Sequence, residues 1–272
     1  MNKSIVAALC TIVILAACRG NKGVPTDSVE EGTEAADTDS VTTEVTLPVA
    51  AENLFDDFLY YFATDSRLQQ ARIQITKGDN GNGNSSTADD TVWQTEHFFM
   101  DGNDYAQLFD SPEQMDLVSD TTINKATVEK IFLMKDSVVQ FTFNRIEGHW
   151  MMTAMKQQTV SENSNAAFLT FYRQFVNDST FQQKSLSEQI EFTATDPDGD
   201  FDEKTEGVIT PEFWSGFAPE MPKDLIYNIV YGHDRGHSQQ KILVLRNMNS
   251  DWETEITFSK ERGKWMLTKL NE

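Results

Sequence analysis

Two stretches of the sequence decide the fold: residues 55–70 read FDDFLYYFATDSRLQQ, and residues 168–183 read FLTFYRQFVNDSTFQQ. They align without gaps at an offset of 113 residues, and 7 of the 16 aligned positions are identical. In each stretch three phenylalanines fall at i, i+3 and i+7, the spacing of an apolar stripe on an amphipathic helix. Leu59 and Tyr172 widen the two stripes. Each stretch therefore predicts a helix packed on a core, in preference to an exposed aromatic platform for a ligand.

A polar motif ends both stretches. Ser66 and Gln69, like Ser179 and Gln182, have the spacing of a capping box. In that motif the serine accepts a hydrogen bond from the backbone three residues on, and the glutamine side chain reaches back. The motif predicts that a second short helix starts at each serine, and it gives little support to a catalytic role.

A second pair of matching blocks lies downstream. Residues 142–155 align with residues 257–270 at an offset of 115 residues. Two matching pairs in the same order predict an internal duplication, with one repeat at residues 50–158 and the other at residues 163–272. The identical positions are Thr142/Thr257, Phe143/Phe258, Gly148/Gly263, Trp150/Trp265, Met151/Met266 and Thr153/Thr268.

Each repeat is predicted to continue from its helices into alternating strands. Gly148 and Gly263 stand where a tight hairpin requires positive φ, and the tryptophans two residues later should pack on the helices. Thr210 and Pro211 have the residue types of a helix start. The expected hairpins pair residues 72–75 with 91–93 and 190–193 with 207–209, and the later strands are 128–134, 138–143, 149–155, 225–231, 241–246, 253–258 and 264–270.

The N-terminus carries a different signal. Residues 5–17 are almost purely apolar, too short a run for a comfortable membrane-spanning helix, and they end in Leu-Ala-Ala before Cys18. This ending resembles the bacterial lipobox, which implies a lipoprotein signal peptide at residues 1–17 and lipidation of Cys18. The alternative is a plain secretory signal. Because Cys10 would leave with the signal, the mature body would hold no thiol for a disulfide, a metal or nucleophilic catalysis.

The segment after the cysteine predicts a tether. Residues 18–49 are rich in Thr, Ser, Glu, Asp, Ala and Gly and contain no aromatic residue. Such a segment cannot bury enough apolar surface to offset its ordering entropy, so we expect an acidic disordered linker. Arg19 does not resemble the acidic signal that retains some lipoproteins in the inner membrane. The expected location is the cell envelope, lipid-anchored to the outer membrane and facing the periplasm.

The overall charge excludes several classes of partner. The chain has 43 acidic against 22 basic residues, a formal charge of −21. A nucleic-acid partner would require a basic footprint, and docking on anionic lipid would require basic clusters. We therefore expect no nucleic-acid partner, and contact with the membrane only through the lipid on Cys18.

Helices followed by a curved sheet that ends in Gly-x-Trp resemble the nuclear-transport-factor-2-like (cystatin-like) fold. This resemblance covers about 220 residues and implies an α+β fold of two tandem cone-shaped domains, each with N-terminal helices packed on a curved antiparallel sheet. With the lipobox and the acidic tether, the whole chain is similar to a family of duplicated lipoproteins of unknown function from Gram-negative, gut-type bacteria. The resemblance carries over no catalytic residues.

One loop suggests a metal. Asp196, Asp198, Asp200 and Asp202 alternate in DPDGDFDE, and alternating carboxylates on a loop can converge on Ca²⁺. The stretch resembles the opening of an EF-hand loop. However, Phe201 stands where that motif has its glycine. The alternative is a solvated hairpin loop made of turn-forming residues.

Other candidates for chemistry are isolated. His233 and His237 lie four residues apart, but the glycines around them predict a loop and not the helical face of a zinc site. His97 and His149 are single, and Asp56 and Asp57 are replaced by Leu169 and Thr170 in the second repeat. The residues that could line a cone as acids, bases or hydrogen-bond donors are Asp56, Asp57, Tyr60, Tyr61, His97, Tyr105, Tyr172 and Tyr227.

The sequence thus favours a lipid-anchored, non-catalytic binding or scaffold protein of the cell envelope. Its partner would be a small molecule in a cone mouth or another envelope protein. Two alternatives stay open: a small-molecule enzyme that uses an acid/base pair in a cone pocket, and a structural module stabilised by calcium. We predict no catalytic residue and no cofactor, with Ca²⁺ as the one candidate ion.

Overall fold

The computed structural model describes residues 47–75, 95–195, 204–232, 238–250 and 252–272. Residues Glu44–Glu272 form one compact unit. The helices are α1 (Val49–Asn53), α2 (Phe55–Thr64), α3 (Ser66–Arg72), α4 (Pro112–Met115), α5 (Ala166–Asn177) and α6 (Ser179–Lys184). The strands are β1 (Asp104–Phe109), β2 (Lys125–Phe132), β3 (Ser137–Ile146), β4 (His149–Gln158), β5 (Leu186–Thr195), β6 (Lys204–Ile209), β7 (Leu225–Tyr231), β8 (Gln240–Asn247), β9 (Glu253–Glu261) and β10 (Lys264–Asn271).

All ten of these strands join one sheet, in the order β4-β3-β2-β7-β1-β8-β9-β10-β5-β6. The sheet is large, curved and unclosed, so the α+β class is confirmed. The expectation of two tandem domains, each with its own sheet, is not confirmed. Most neighbouring strands are antiparallel, but β1 pairs with β7 and β10 pairs with β5 in parallel, so the sheet is mixed and not purely antiparallel.

The two halves of the chain exchange strands at the centre of the sheet. β1 precedes β2–β4, and β7 precedes β8–β10 in the same way. However, β1 pairs antiparallel with β8, and β7 pairs antiparallel with β2. Each half therefore gives one strand to the other half. This exchange explains why the sheet is continuous where the sequence predicts a boundary between domains.

The helices of the two halves lie on opposite faces of the sheet. On β7, Tyr227 and Ile229 pack in the core cluster that contains α2. Their neighbour Ile226 packs in the cluster that contains α5. Because successive side chains of a strand point to opposite faces, one central strand supplies both cores.

The core against α2 is aromatic, as its phenylalanine stripe predicts. Phe55, Phe58 and Phe62 are each at most 2% exposed. The rings of Phe55 and Trp150 lie 4.9 Å apart, and those of Phe62 and Phe143 lie 5.2 Å apart, both edge to face. The prediction that Trp150 packs on the helix is confirmed.

The core against α5 has the same arrangement. The Phe168 and Trp265 rings lie 5.2 Å apart, and the Phe175 and Phe258 rings lie 5.3 Å apart at 90°. Tyr172 is fully buried in the stripe, as predicted. Edge-to-face pairs add about 0.5–1.5 kcal/mol each to the free energy gained by burying the rings.

The capping boxes predicted at Ser66 and Ser179 are wrong by one residue. The N-caps are Asp65 and Asp178, whose carboxylates accept from the backbone N–H groups of the residues two and three positions on. Aspartate is a strong N-cap residue, and it already precedes each serine, so the serine becomes the first residue of the helix. A capping box does occur at Thr159 and Glu162, where the chain joins the two halves.

The predicted hairpin turns are confirmed. Gly148 and Gly263 have φ of +87° and +82°. The residues before them, Glu147 and Arg262, both have φ of +51°, so each turn has two consecutive residues with positive φ. Two such residues define the type I′ turn, whose twist matches that of the flanking strands.

Of the two other predicted hairpins, only the second is confirmed. β5 and β6 form the second one, with Ile190 opposite Ile209. In the first, α3 runs to Arg72 and Ile73 makes a single parallel bridge to Met152, while residues 91–93 lie outside the described residues. The helix expected to start at Thr210 and Pro211 is wrong, because the chain makes turns there before a short 3₁₀ helix at Trp214–Gly216.

Within the described ranges, no helix combines the length and the apolar character needed to cross a membrane.

Candidate functional site

A cleft of about 1030 Å³ opens at the end of the sheet where β1 and β7 begin and β8 ends. The end of α5, the start of α6 and the loop of residues 219–224 form its other sides. Apolar side chains make up part of its lining. They include Val176, Met221, Leu225, Leu245 and Trp252. A volume of this size suits a small organic ligand.

One buried tyrosine holds the loop side of the cleft in place. The Tyr172 hydroxyl on α5 donates to the carbonyl oxygen of Pro222 at 3.0 Å. Burial raises the pKa of Tyr172 well above its usual value, so the phenol stays protonated and remains a donor. Tyr172 thus acts on the cleft indirectly, by fixing the loop to the helix.

The rim of the cleft is charged and aromatic. Three carboxylates (Asp104, Glu220 and Asp224) line it together with Lys223 and Arg246. Trp252 stands at the rim with 52% of its surface exposed, which is unusual for so large an apolar side chain. The cleft therefore presents apolar and charged surface to the same ligand.

A polar cluster lies on the α2 face of the sheet. The Tyr231 hydroxyl donates to Oδ2 of Asp56 at 2.7 Å. Burial raises the pKa of the Asp56 carboxyl from 3.8 to about 6, although the bond from Tyr231 and the charge of Arg246 act in the opposite direction. The Asp56 carboxyl can therefore gain or lose a proton near neutral pH.

Arg246 connects this cluster to the cleft. Its Nε donates to Glu253 at 2.6 Å, its Nη1 donates to Gln107 at 3.0 Å, and it also bonds Tyr105. Tyr105 and Arg246 are among the residues that line the cleft. Asp56 and Tyr231 are not, so this acid and its donor do not face the cleft.

Another buried polar group, around Glu129, anchors the segment of residues 159–165 that joins the two halves. Glu129 on β2 is 2% exposed. Its carboxylate accepts from Gln140 at 2.7 Å, from Asn163 at 2.9 Å and from Asn228 at 2.7 Å. These donors come from β3, from the join and from β7. These three hydrogen bonds satisfy the buried carboxylate, so a structural role is enough to account for Glu129.

A buried lysine completes the anchoring of the join. Lys241 on β8 is 4% exposed and donates to Asp110 and Asn165. Asn165 is the N-cap residue of α5. The lysine therefore fixes the start of that helix to the sheet.

Several predicted site residues lie outside the described residues. These are Cys18, the calcium candidates Asp196, Asp198, Asp200 and Asp202, and His233 with His237. The lipidation and calcium hypotheses thus stay predictions. Among the residues that the structure does describe, no group of three or more His, Cys, Asp or Glu side chains is placed to hold a metal ion.

The remaining candidates do not converge on one site. The ring of His97 lies 3.0 Å from the Ala63 carbonyl, and that of His149 lies 3.2 Å from Glu52. Tyr60 and Tyr61 are exposed on α2 with their rings in edge-to-face contact, and Asp57 beside them is exposed. Tyr105 stacks on Phe99, and Tyr227 donates to the Phe98 carbonyl at 2.6 Å.

Sequence reasoning missed the partners of these residues. Tyr231 and Arg246 were assigned to strands alone, and Met221 and Trp252 were not singled out. A signal existed for Trp252, because it stands in a polar stretch just before β9 and the aligned position in the first half of the chain has no tryptophan. No local signal could place Tyr231 beside Asp56, which lies 175 residues away in the chain.

The sequence and the fold of this chain are similar to those of known proteins. Its sequence matches, over residues 34–272, a family model described as a domain of unknown function, DUF4348. A crystal structure described as an NTF2-like protein from Bacteroides fragilis is similar, with 32% identity and a TM-score of 0.69 over 83% of this chain and 98% of that chain. The comparison with curated proteins gave no match. Because the family model covers more than half of the sequence, the chain belongs to the DUF4348 family, whose function is unknown.

Proposed function

We propose that this protein is a lipid-anchored, non-catalytic binding protein of the cell envelope, and that it binds a small amphipathic molecule in the cleft beside Trp252. The observation that carries the proposal is the cleft itself. It combines a volume of about 1030 Å³, a lining that is partly apolar and a charged rim. Ligand sites in proteins share this combination of apolar lining and a few polar groups.

The distribution of buried polar groups supports binding in preference to catalysis. The acid whose pKa is raised, Asp56, does not line the cleft. The buried carboxylate Glu129 is fully occupied by three amide donors. An acid/base enzyme requires such a group within reach of its substrate. The cleft instead offers apolar side chains and charged groups at its rim, which are sufficient for binding.

Native mass spectrometry tests this proposal. Protein purified gently from cells that make it should carry a discrete excess over its denatured mass. Gln182→Trp places a large ring on α6 where it lines the cleft, and it should abolish the excess. Gln174→Trp adds the same ring at an exposed position on α5 that does not line the cleft, and it should retain the excess. Equal loss in both variants, or a bare mass for the unaltered protein, would count against the cleft.

The anchor is a separate part of the proposal, supported by the sequence Leu-Ala-Ala-Cys that ends at Cys18. Cells grown with an alkyne-tagged fatty acid should label the protein. Cys18→Ala should abolish the label. Cys10→Ala should leave it unchanged, because Cys10 would be removed with the signal peptide. A label that survives Cys18→Ala would refute lipidation at this cysteine.

We also propose that the two halves arose by duplication. The matching sequence blocks support this origin, and so do the matching ring pairs. Phe58 and Phe62 lie 5.5 Å apart with their planes at 39°, while Phe171 and Phe175 lie 5.6 Å apart at 40°. Equivalent strands also hold equivalent places, since β2–β4 and β8–β10 flank the two central strands in mirrored order.

A further inference from the structure

The rim of the cleft carries more negative than positive charge. Its three carboxylates, Asp104, Glu220 and Asp224, are all exposed. Of its two cations, Arg246 is already bonded to Glu253 at 2.6 Å, so a carboxylate outside the rim matches its charge. Among the described residues that line the cleft, this leaves Lys223 to balance the three carboxylates.

Two of these carboxylates are available to a ligand. Asp104 accepts from Asn247 at 2.6 Å. For Glu220 and Asp224, the described part of the chain supplies neither a side-chain hydrogen bond nor an ion pair. Both flank the part of the loop that Tyr172 holds through Pro222. A charged group of the ligand would therefore meet two exposed carboxylates on a loop whose backbone is held in place.

The aromatic residue at the rim also favours a positive charge. The face of a tryptophan attracts an ammonium group within about 6 Å of the ring. Trp252 is half exposed at the rim. The formal charge of −21 on the whole chain would in addition raise the local concentration of cations near any concave site.

From these observations we infer that the ligand is a cationic amphiphile: a single alkyl chain or similar apolar body that bears an ammonium group. The apolar body lies against Met221, Leu225 and Leu245. The ammonium group lies at the rim, between Trp252 and the carboxylates of Glu220 and Asp224. This inference rests on the proposed function and adds the chemical class of its ligand.

Three probes with the same eight-carbon chain test the inference: octylammonium, 1-octanol and octanoate. Each is titrated against full-length protein carrying Nile red, a neutral dye that fluoresces in apolar sites. Octylammonium should displace the dye at a concentration roughly fivefold lower than octanol, the size expected for exposed charge pairs. Octanoate should be the weakest. Added salt should reduce the difference, because it screens exposed charges.

A matched pair of variants separates the rim from the overall charge. Glu220→Gln with Asp224→Asn should remove most of the preference for octylammonium and leave octanol unchanged; the remaining preference would come from Trp252 and the overall charge. Glu188→Gln with Glu191→Gln removes the same number of charges from exposed positions on β5, away from the cleft, and should preserve the preference. Equal loss of preference in both variants would refute a local cation site.

The outcomes also distinguish this inference from the proposed function. If all three probes displace the dye equally, the cleft binds amphiphiles and the cationic class is wrong. If octanoate is the strongest probe, the inference is wrong in sign. If Nile red is not bound, or if no probe displaces it, the inference and the proposed function both fail.

Discussion

At the scale of single residues, burial of the Asp56 carboxyl makes the stability of the folded protein depend on pH. Its folded pKa of about 6 lies above the ordinary value of 3.8. The folded state therefore binds this proton more tightly than the unfolded state. The resulting stability is fully present below about pH 4 and is lost as the pH rises through 6. The shift in pKa corresponds to a contribution of about 3 kcal/mol at most to the free energy of unfolding.

The Asp56→Asn variant should remove this dependence. Between pH 4 and 7 the free energy of unfolding should fall less steeply than in the unaltered protein, as measured by denaturant titration. Asp57→Asn is the matched control, because it removes the same charge from the exposed neighbouring residue. If both variants flatten the curve equally, general charge repulsion is the cause and not the burial of Asp56.

The Asp56 cluster also shows what the sequence can supply at this scale. Asp56 could be selected as a candidate because the aligned position in the second half of the chain is Leu169. Its environment could not be predicted, because Tyr231 reaches it only through the exchange of β7 into the first half. Composition and periodicity do not report which strand becomes a neighbour.

At the scale of elements, the N-caps of α3 and α6 give a test that separates two adjacent residues. Asp178 accepts from Thr180 N and Phe181 N at 2.9 and 3.0 Å. Asp178→Ala should therefore lower the free energy of unfolding by about 1 kcal/mol. Ser179→Ala should change it by less than about 0.5 kcal/mol, as is usual for an exposed position. The reverse order, measured by thermal denaturation, would restore the capping box predicted at Ser179.

A second prediction at this scale concerns Glu129 and the join. Glu129→Gln keeps the shape of the side chain, but it replaces one acceptor oxygen with a donor among three amide donors. Leaving a buried donor without an acceptor should cost about 1–3 kcal/mol. Chemical denaturation measures this loss, and Glu188→Gln at an exposed position should show none. An unchanged midpoint for Glu129→Gln would mean that the network adds nothing to stability.

The buried helix faces and the tight turns were the most predictable features, because they follow from local residue types. The spacing of Phe55, Phe58 and Phe62 fixed the buried face of α2, and Gly148 fixed the turn between β3 and β4. The cleft was not predictable. It is built from the ends of α5, β1, β7 and β8, which share no local pattern in the sequence.

At the scale of the whole molecule, one sequence signal pointed to the exchange of strands. β7 reads LIYNIVY, an almost unbroken apolar run, and five of its seven residues are buried. Such a run is typical of a strand that is covered on both faces, whereas a strand of an isolated cone would alternate. The strand supplies both cores because α2 and α5 lie on opposite sides of it.

The exchange predicts that neither half of the chain folds alone. In a fragment of residues 1–158, β1 would lose both of its neighbours, since β7 and β8 belong to the second half. In residues 159–272, β7 would likewise lose β2 and β1. Each fragment should lack a cooperative unfolding transition, and the two made together should assemble and recover one. A cooperative transition in either fragment alone would show that its strands can close within one half, and two independent cones would then describe the molecule better than one continuous sheet.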